Sequence, residues 1–281
     1  MIELLCTVRR CGAPLRPEAK RFVCGAGHAF DRARSGYVNL LQPQDSRARE
    51  PGDAAAAVAA RRRLLDAGAG TALLESLSAT IAGLGLPSAA RTLDIGAGEG
   101  SLLAALALRF GLEAVGIELS ARAADLAARR HPGALWLVAN ADRGLPLASG
   151  SLDLVLSVSA RRNPAECARV LAPGGRLVVA VPAFDDLAEL REAALGSASP
   201  LDRVAKLVAE HAAHFALLER FAARETRAFS PSQLEDLLVS TYRGGRAGRV
   251  ERVRGLDGLS VTLSHEIAVF AALPAAGGAA G

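Results

Sequence analysis

Between residues 91 and 181 the chain alternates short apolar runs with amphipathic stretches. Residues 91–95, 113–117, 135–139, 152–158 and 176–181 read as buried strands. Residues 102–110, 120–130 and 164–171 carry helical spacing, the second started by Ser120. Alternation at this interval predicts βαβ units and an α/β fold: a mostly parallel, doubly wound sheet with one antiparallel edge strand. Ahead of it, residues 54–66 read as a helix ended by Gly68 and Gly70, and residues 71–84 as a second. Behind it the pattern predicts a long helix over 201–223, another over 231–238, and closing antiparallel strands at 250–253 and 260–270. The Ala/Gly tail, 274–281, reads as frayed. Trp136 and Cys167 fall at core positions.

The first 41 residues have a different texture. Cys6, Cys11, Cys24 and His28 follow the pattern C-x4-C-x12-C-x3-H, with Gly12 and Gly25-Ala26-Gly27 supplying tight turns. Three thiolates and one imidazole satisfy tetrahedral zinc, and residues 16–21 hold too little apolar mass for a core, so a metal would replace one. A disulfide and unpaired surface thiols are the competing readings, the first opposed by a cytoplasmic setting. That setting is expected because no secretory core and no membrane-length apolar run is present. Residues 42–53 are polar, bracketed by prolines and basic, and read as a loop.

Charge is placed unevenly. Residues 1–63 carry twelve Lys+Arg and six Asp+Glu, whereas the whole chain has 33 and 29. A basic front on a near-neutral body suits a polyanionic partner, although an Arg-rich composition can also be a genomic habit.

Asp94-Ile-Gly96-Ala-Gly98-Glu99-Gly100 sits at a strand-to-helix turn, where backbone N–H groups allow close approach of a ligand. Glu118 ends the next strand, placed to accept two ribose hydroxyls, and Asn140 ends the one after, placed at a base edge. The glycine spacing is G-x-G-x-G rather than the dinucleotide G-x-G-x-x-G, which leaves nicotinamide binding as the minor alternative. The candidate cofactor contacts are Asp94, Gly96, Gly98, Glu99, Gly100, Glu118, Leu119, Asn140 and Ala141.

The D-x-G-x-G-x-G turn with Glu118 resembles the class I S-adenosylmethionine-dependent methyltransferases, as do Leu145-Pro-Leu147, residues 151–155 and Leu171-Ala-Pro-Gly-Gly175. With the knuckle in front and Gly27-His-Ala-Phe-Asp-Arg-Ala-Arg-Ser-Gly-Tyr-Val-Asn-Leu-Leu41 between, the chain is similar to the 23S rRNA (guanine-N1)-methyltransferases. The resemblance spans roughly residues 4–190. It implies a class I methyltransferase sheet with a zinc-binding module, S-adenosylmethionine and structural Zn2+ as cofactors, and methylation of N1 of a guanine in a 23S rRNA hairpin. It implies four units: a zinc-binding RNA-recognition module (1–41), a basic linker with helices (42–90), the methyltransferase domain (91–273) and the tail.

Arg61, Arg162 and Asn163 are the candidate substrate contacts, the arginines for phosphate or O6 and Asn163 for a base edge, with a solvated surface role as the alternative for both arginines. No general base is evident, and Asp186 reads as a candidate base or as an N-cap. The chain departs from the family pattern at Ala69-Gly70, Ser159-Ala160-Arg161 and Asp186. A small-molecule methyltransferase with a structural zinc knob, and a non-catalytic RNA-binding relative, therefore stand as alternatives. His211 and His214 read as a solvated helix face rather than a metal pair, and residues 242–246 as a turn that could touch RNA. Oligomeric state is open, a homodimer included, and no membrane partner is expected.

Overall fold

A computed structural model describes residues 2–43, 52–196, 203–241 and 247–274. The turn at 242–246 and most of the tail lie outside these residues. The chain runs β1 (Leu15–Pro17), β2 (Arg21–Cys24), β3 (Ala29–Asp31), β4 (Val38–Asn39), α1 (Ala55–Asp66), α2 (Thr71–Gly83), β5 (Arg91–Ile95), α3 (Ser101–Phe110), β6 (Glu113–Glu118) and α4 (Ala121–Arg130). It continues through β7 (Leu135–Val138), β8 (Leu152–Val158), α5 (Pro164–Val170), β9 (Leu171–Pro182), α6 (Ala188–Leu195), α7 (Arg203–His211), β10 (Phe215–Phe229), α8 (Pro231–Ser240), α9 (Ala247–Arg254) and β11 (Leu259–Ala272).

The main sheet has the order β10-β11-β9-β8-β5-β6-β7-β4. β5 pairs in parallel with both β6 and β8, so the winding reverses beside it, and the crevice above its carboxyl end is where such sheets bind ligands. β11 runs antiparallel to β9, and β10 antiparallel to β11. The one reversed strand is thus β11, one place in from the edge. β10 forms the edge itself and runs in the sense of β9.

Strand periodicity divides the core between the sheet's two faces. Leu93, Ile95, Val115, Ile117 and Val155 join one apolar cluster, while Leu154, Leu156 and Val178 join the other with Leu77, Leu103 and Trp136. Trp136 and Cys167 are buried as the sequence predicts.

The N-terminal module does not stand apart from this core. β1–β3 form an antiparallel meander, but β4 pairs in parallel with β7 and becomes the far edge of the main sheet. Leu4 bridges Leu147, Leu5 N–H donates to the Pro146 carbonyl at 2.9 Å, and Ile2, Leu4, Phe30 and Leu40 share a cluster with Leu147 and Leu152.

Three expectations about the C-terminal third fail. The helix expected over 201–223 ends at His211, and residues 215–229 form β10. The Leu/Ala/Glu/Arg content of that segment favours helix, but pairing with β11 from Phe215 to Phe229 overrides it. The expected strand at 250–253 lies within helix α9. His211 is not solvated: it is buried and stacks on Phe270 at 5.2 Å between ring centroids.

Candidate cofactor site and metal knuckle

The four metal-ligand candidates converge. Their ligand atoms all lie within 4.8 Å of one another. Cys11 Sγ is 3.8 Å from Cys24 Sγ, and His28 Nδ1 is 3.5 Å from both Cys6 Sγ and Cys24 Sγ. A zinc tetrahedron with sulfur about 2.3 Å from the ion has sulfur–sulfur edges of about 3.8 Å, so the quartet is spaced for that ion. The wide first pair is absorbed by a turn in which Cys11 N–H donates to the Val8 carbonyl and Arg10 takes a left-handed φ of 65°. Burial pushes the Cys6 thiol up to about 12. Burial also opposes ionisation of Cys24, but hydrogen bonds from the Ala26 and His28 N–H groups and from the Cys11 and Cys6 thiols together bring that thiol down to about 7.

At the carboxyl end of β5 the chain turns through Gly96, Gly98 and Gly100, all at positive φ. These glycines have different tasks. A Cβ at Gly96 would lie 2.3 Å from Ala160 Cβ, and one at Gly100 would lie 2.5 Å from Trp136 Cη2. A Cβ at Gly98 would meet nothing nearer than Arg61 Nη1 at 3.7 Å. Gly98 is therefore the member of the turn open toward a ligand, while Gly96 and Gly100 admit protein packing.

Glu118, at the end of β6, spans the turn. Its Oε2 accepts from Gly98 N–H at 2.9 Å, and its Oε1 accepts from Leu119 and Ser120 N–H at 2.8 Å each. Burial pushes the carboxyl up against these donors. Asp94 lies fully within the same corner. Its Oδ1 has no hydrogen-bond partner, and burial, reinforced by the charge of Glu118, raises it to about 8. An orphaned buried carboxyl oxygen below a glycine turn fits a cofactor carrying an ammonium group. Asn140 Oδ1 accepts from Asp142 N–H at 3.1 Å, which shapes the turn after β7, and Leu119 and Ala141 are half-buried beside Glu118 and Asn140.

Other candidates point elsewhere. Glu99 turns away from the crevice: it is buried, and its Oε2 accepts from Arg62 Nη1 at 2.9 Å and from Ser101 Oγ at 2.8 Å. Arg162 does not face the approach to the crevice. Its guanidinium donates to His211 Nε2 at 3.2 Å, to the Ala160 carbonyl at 2.8 Å and to Ser157 Oγ at 3.4 Å. His211 Nδ1 meets the Leu207 carbonyl at 2.7 Å, which leaves its Nε2 as the acceptor for Arg162. Asn163 caps α5, its Oδ1 accepting from Ala165 and Glu166 N–H. Arg61 does reach the crevice, pairing with Asp53 at 2.8 Å and with the Ser240 carbonyl at 3.1 Å beside Gly98.

Sequence reasoning missed Arg62, one residue from Arg61 on α1, which ties that helix to the glycine turn through Glu99. Their adjacency gave no way to choose between them. It also missed Glu225 on β10, whose carboxylate accepts from Gly70 and Ala72 N–H at 2.7 and 2.9 Å and caps α2 where Gly70 has no side chain to do so. Asp186 is not a helix cap: Leu187 occupies that position, and Asp186 Oδ1 accepts from Ser264 N–H at 3.0 Å.

The profile described as "Methyltransferase domain" matches residues 93–179, and the zinc-ribbon profile described as "RlmA, N-terminal" matches residues 6–49. A 23S rRNA (guanine(748)-N(1))-methyltransferase of Streptomyces fradiae is 37% identical over 94% of this chain and 95% of its own. The chain belongs to the 23S rRNA (guanine-N1)-methyltransferase family. A Micromonospora griseorubida protein, provisionally named for the same activity, is 40% identical over 67% of this chain and 68% of its own. Among solved structures, a chain from the complex of the Haloferax volcanii Trm112 methyltransferase activator aligns with a TM-score of 0.54 at 20% identity, covering 81% of this chain and 100% of that one. It shares the fold. This family member is an S-adenosylmethionine-dependent methyltransferase with an N-terminal zinc ribbon. Among the described residues no helix is long and apolar enough to cross a membrane.

Proposed function

We propose that this chain methylates N1 of a guanine in a 23S rRNA hairpin, with residues 1–41 as its RNA-recognition module. The observation that carries this reading is that one continuous core joins the Cys/His quartet to the glycine turn, and that the Streptomyces fradiae relative matches across both. Arg9, Arg10, Arg16, Lys20, Arg21, Arg32 and Arg34 are exposed around the quartet and supply cations for phosphates. The place of action is then the cytoplasm, where ribosomes are.

S-adenosylmethionine, when bound, supplies an electrophilic methyl group on a sulfonium. Asp94, Gly98 and Glu118 hold it in this reading, with Asn140, Leu119 and Ala141 around the base. Zinc would be held by Cys6, Cys11, Cys24 and His28 Nδ1. Transfer makes a nitrogen–carbon bond at guanine N1 and breaks a sulfur–carbon bond; the sulfur keeps the electron pair and the N1 proton passes to water. Alignment dominates such a displacement, so the protein's task is to extrude the base and fix its edge. Phe184, 64% exposed just past the end of β9, offers a face on which an extruded base can stack. Arg161, on the turn after β8 and paired with Asp142 at 3.1 Å, offers a guanidinium at the crevice. Arg162 and Asn163 shape that turn rather than touch the base.

The test is incubation of the protein with methyl-labelled cofactor and an unmodified 23S transcript, followed by nucleoside mass mapping. The expected product is N1-methylguanosine at one hairpin. Label absent from RNA but present on small metabolites would overturn the assignment.

A further inference from the structure

The turn after β8 carries a strained serine that the cofactor site does not use. Ser159 has φ 52°, left-handed backbone that a residue with a Cβ adopts at a cost. Three contacts hold it there. Ser159 N–H donates to the Ala180 carbonyl at 2.8 Å, the next residue's carbonyl is held by Arg162 at 2.8 Å, and Ala160 Cβ fills the space left by Gly96. Arg162 is in turn fixed by buried His211. Serine is therefore locked one residue from the glycine turn, at the crevice where the winding of the sheet reverses.

Its side chain is oriented as well. Ser159 Oγ lies 3.2 Å from Nε2 of His265, which stands on β11 opposite Pro182 of β9. Burial, assisted by the charge of Arg203, lowers His265 to about 4, so the ring is neutral at physiological pH. A neutral imidazole either accepts the serine proton or donates its own. In both cases Ser159 Oγ keeps a lone pair, and Ser159 itself is exposed.

We infer that Ser159, oriented by His265, is the specificity-determining residue that accepts a hydrogen bond from the exocyclic 2-amino group of the target guanine. This rests on the RNA-methylation reading and deepens it. The chemistry favours it because the edge flanking guanine N1 has O6, an acceptor, on one side and the 2-amino donor on the other. Arg161 can serve only the first, and a hydroxyl oxygen serves the second. Among purines that keep N1–H and O6, the amino group is what separates guanine from hypoxanthine.

The experiment compares methylation of two synthetic target hairpins, one with guanosine and one with inosine at the modified position, by wild-type protein and by Ser159→Gly and Ser159→Asn. Glycine removes the hydroxyl and relieves the positive φ, so a folding defect does not confound it; asparagine tolerates that backbone and restores an acceptor. Wild type is expected to prefer guanosine RNA by about tenfold in kcat/KM. Ser159→Gly is expected to lose that preference through a fall on guanosine RNA alone, and Ser159→Asn to regain part of it. Equal use of the two RNAs by wild type, or a preference retained in Ser159→Gly, overturns this inference while leaving guanine methylation in place. No methyl transfer to either RNA by wild type overturns both.

Discussion

The knuckle and the glycine turn solve the same problem, bringing polar groups to one point, by opposite means. In the knuckle the four converging side chains are themselves the local structure: β1, β2 and β3 are three or four residues long, and two of the ligands, Cys6 and Cys24, are buried. In the turn the local structure is set by packing between strands and helices of the main sheet. β5 is buried from Thr92 to Ile95 and β6 from Ala114 to Ile117, Trp136 fills the space beneath Gly100, and of the buried side-chain atoms at the turn Asp94 Oδ1 is left without a partner. A site of the first kind should fail as a fold when its ion is removed, and one of the second kind should fail only in binding.

The largest expected effect tests the knuckle. Cys24→Ser should lose zinc, measured as metal per chain, and bring RNA methylation to background. Calorimetry should still show cofactor binding near the wild-type affinity. Because β4 is an edge of the main sheet and Leu4 packs on Leu147, melting temperature should fall too. Loss of cofactor binding together with zinc would mean that the two regions form one cooperative unit, and the contrast would collapse.

A smaller effect separates packing from binding within the turn. Gly100→Ala places a Cβ 2.5 Å from Trp136 and should destabilise the protein by about 3 kcal/mol in chemical denaturation. Gly98→Ala makes only an ordinary contact with Arg61 Nη1 at 3.7 Å, so its cost should be just the roughly 1–2 kcal/mol of a left-handed residue. Its main consequence should be weaker cofactor binding. The reverse ranking would place the cofactor against Gly100 instead.

What could be read from the sequence follows the same division. Cys6, Cys11, Cys24 and His28 were legible because ligand chemistry restricts residue type and spacing, and the β5 turn because glycine, acid and strand fall in one short window. Local signals also gave Ser120 as a cap. Arg162 was misplaced because its partner, His211, is 49 residues away on a different element. Asn163 suggests a base-edge contact by residue type, but its neighbour Pro164 opens a helix and the side chain caps it. β10 looks helical in sequence because edge strands are commonly charged: Glu219, Arg220, Arg224 and Arg227 discourage further pairing while resembling an exposed helix face. Ser159 shows in the sequence only as part of the departure at Ser159-Ala160-Arg161, and nothing there points to His265, since their meeting depends on β11 running back between β9 and β10.

The smallest expected effect is a pH dependence at Asp94, where the turn manages charge without a metal. The folded protein keeps that proton up to about pH 8, whereas an unfolded carboxyl releases it near its ordinary value of 3.8. Between those values the native state binds more protons, so this group makes stability fall as pH rises, and the decline ends above about pH 8. Asp94→Asn should flatten the decline in melting temperature from pH 5 to pH 8 in cofactor-free protein. A cofactor ammonium beside Oδ1 would draw the proton off, so calorimetry in buffers of different ionisation heats should show proton release on binding to wild type and not to Asp94→Asn. Parallel melting curves would mean that Asp94 is already ionised and paired before the cofactor arrives. The turn would then resemble the knuckle, a cluster of charge waiting for its counterion.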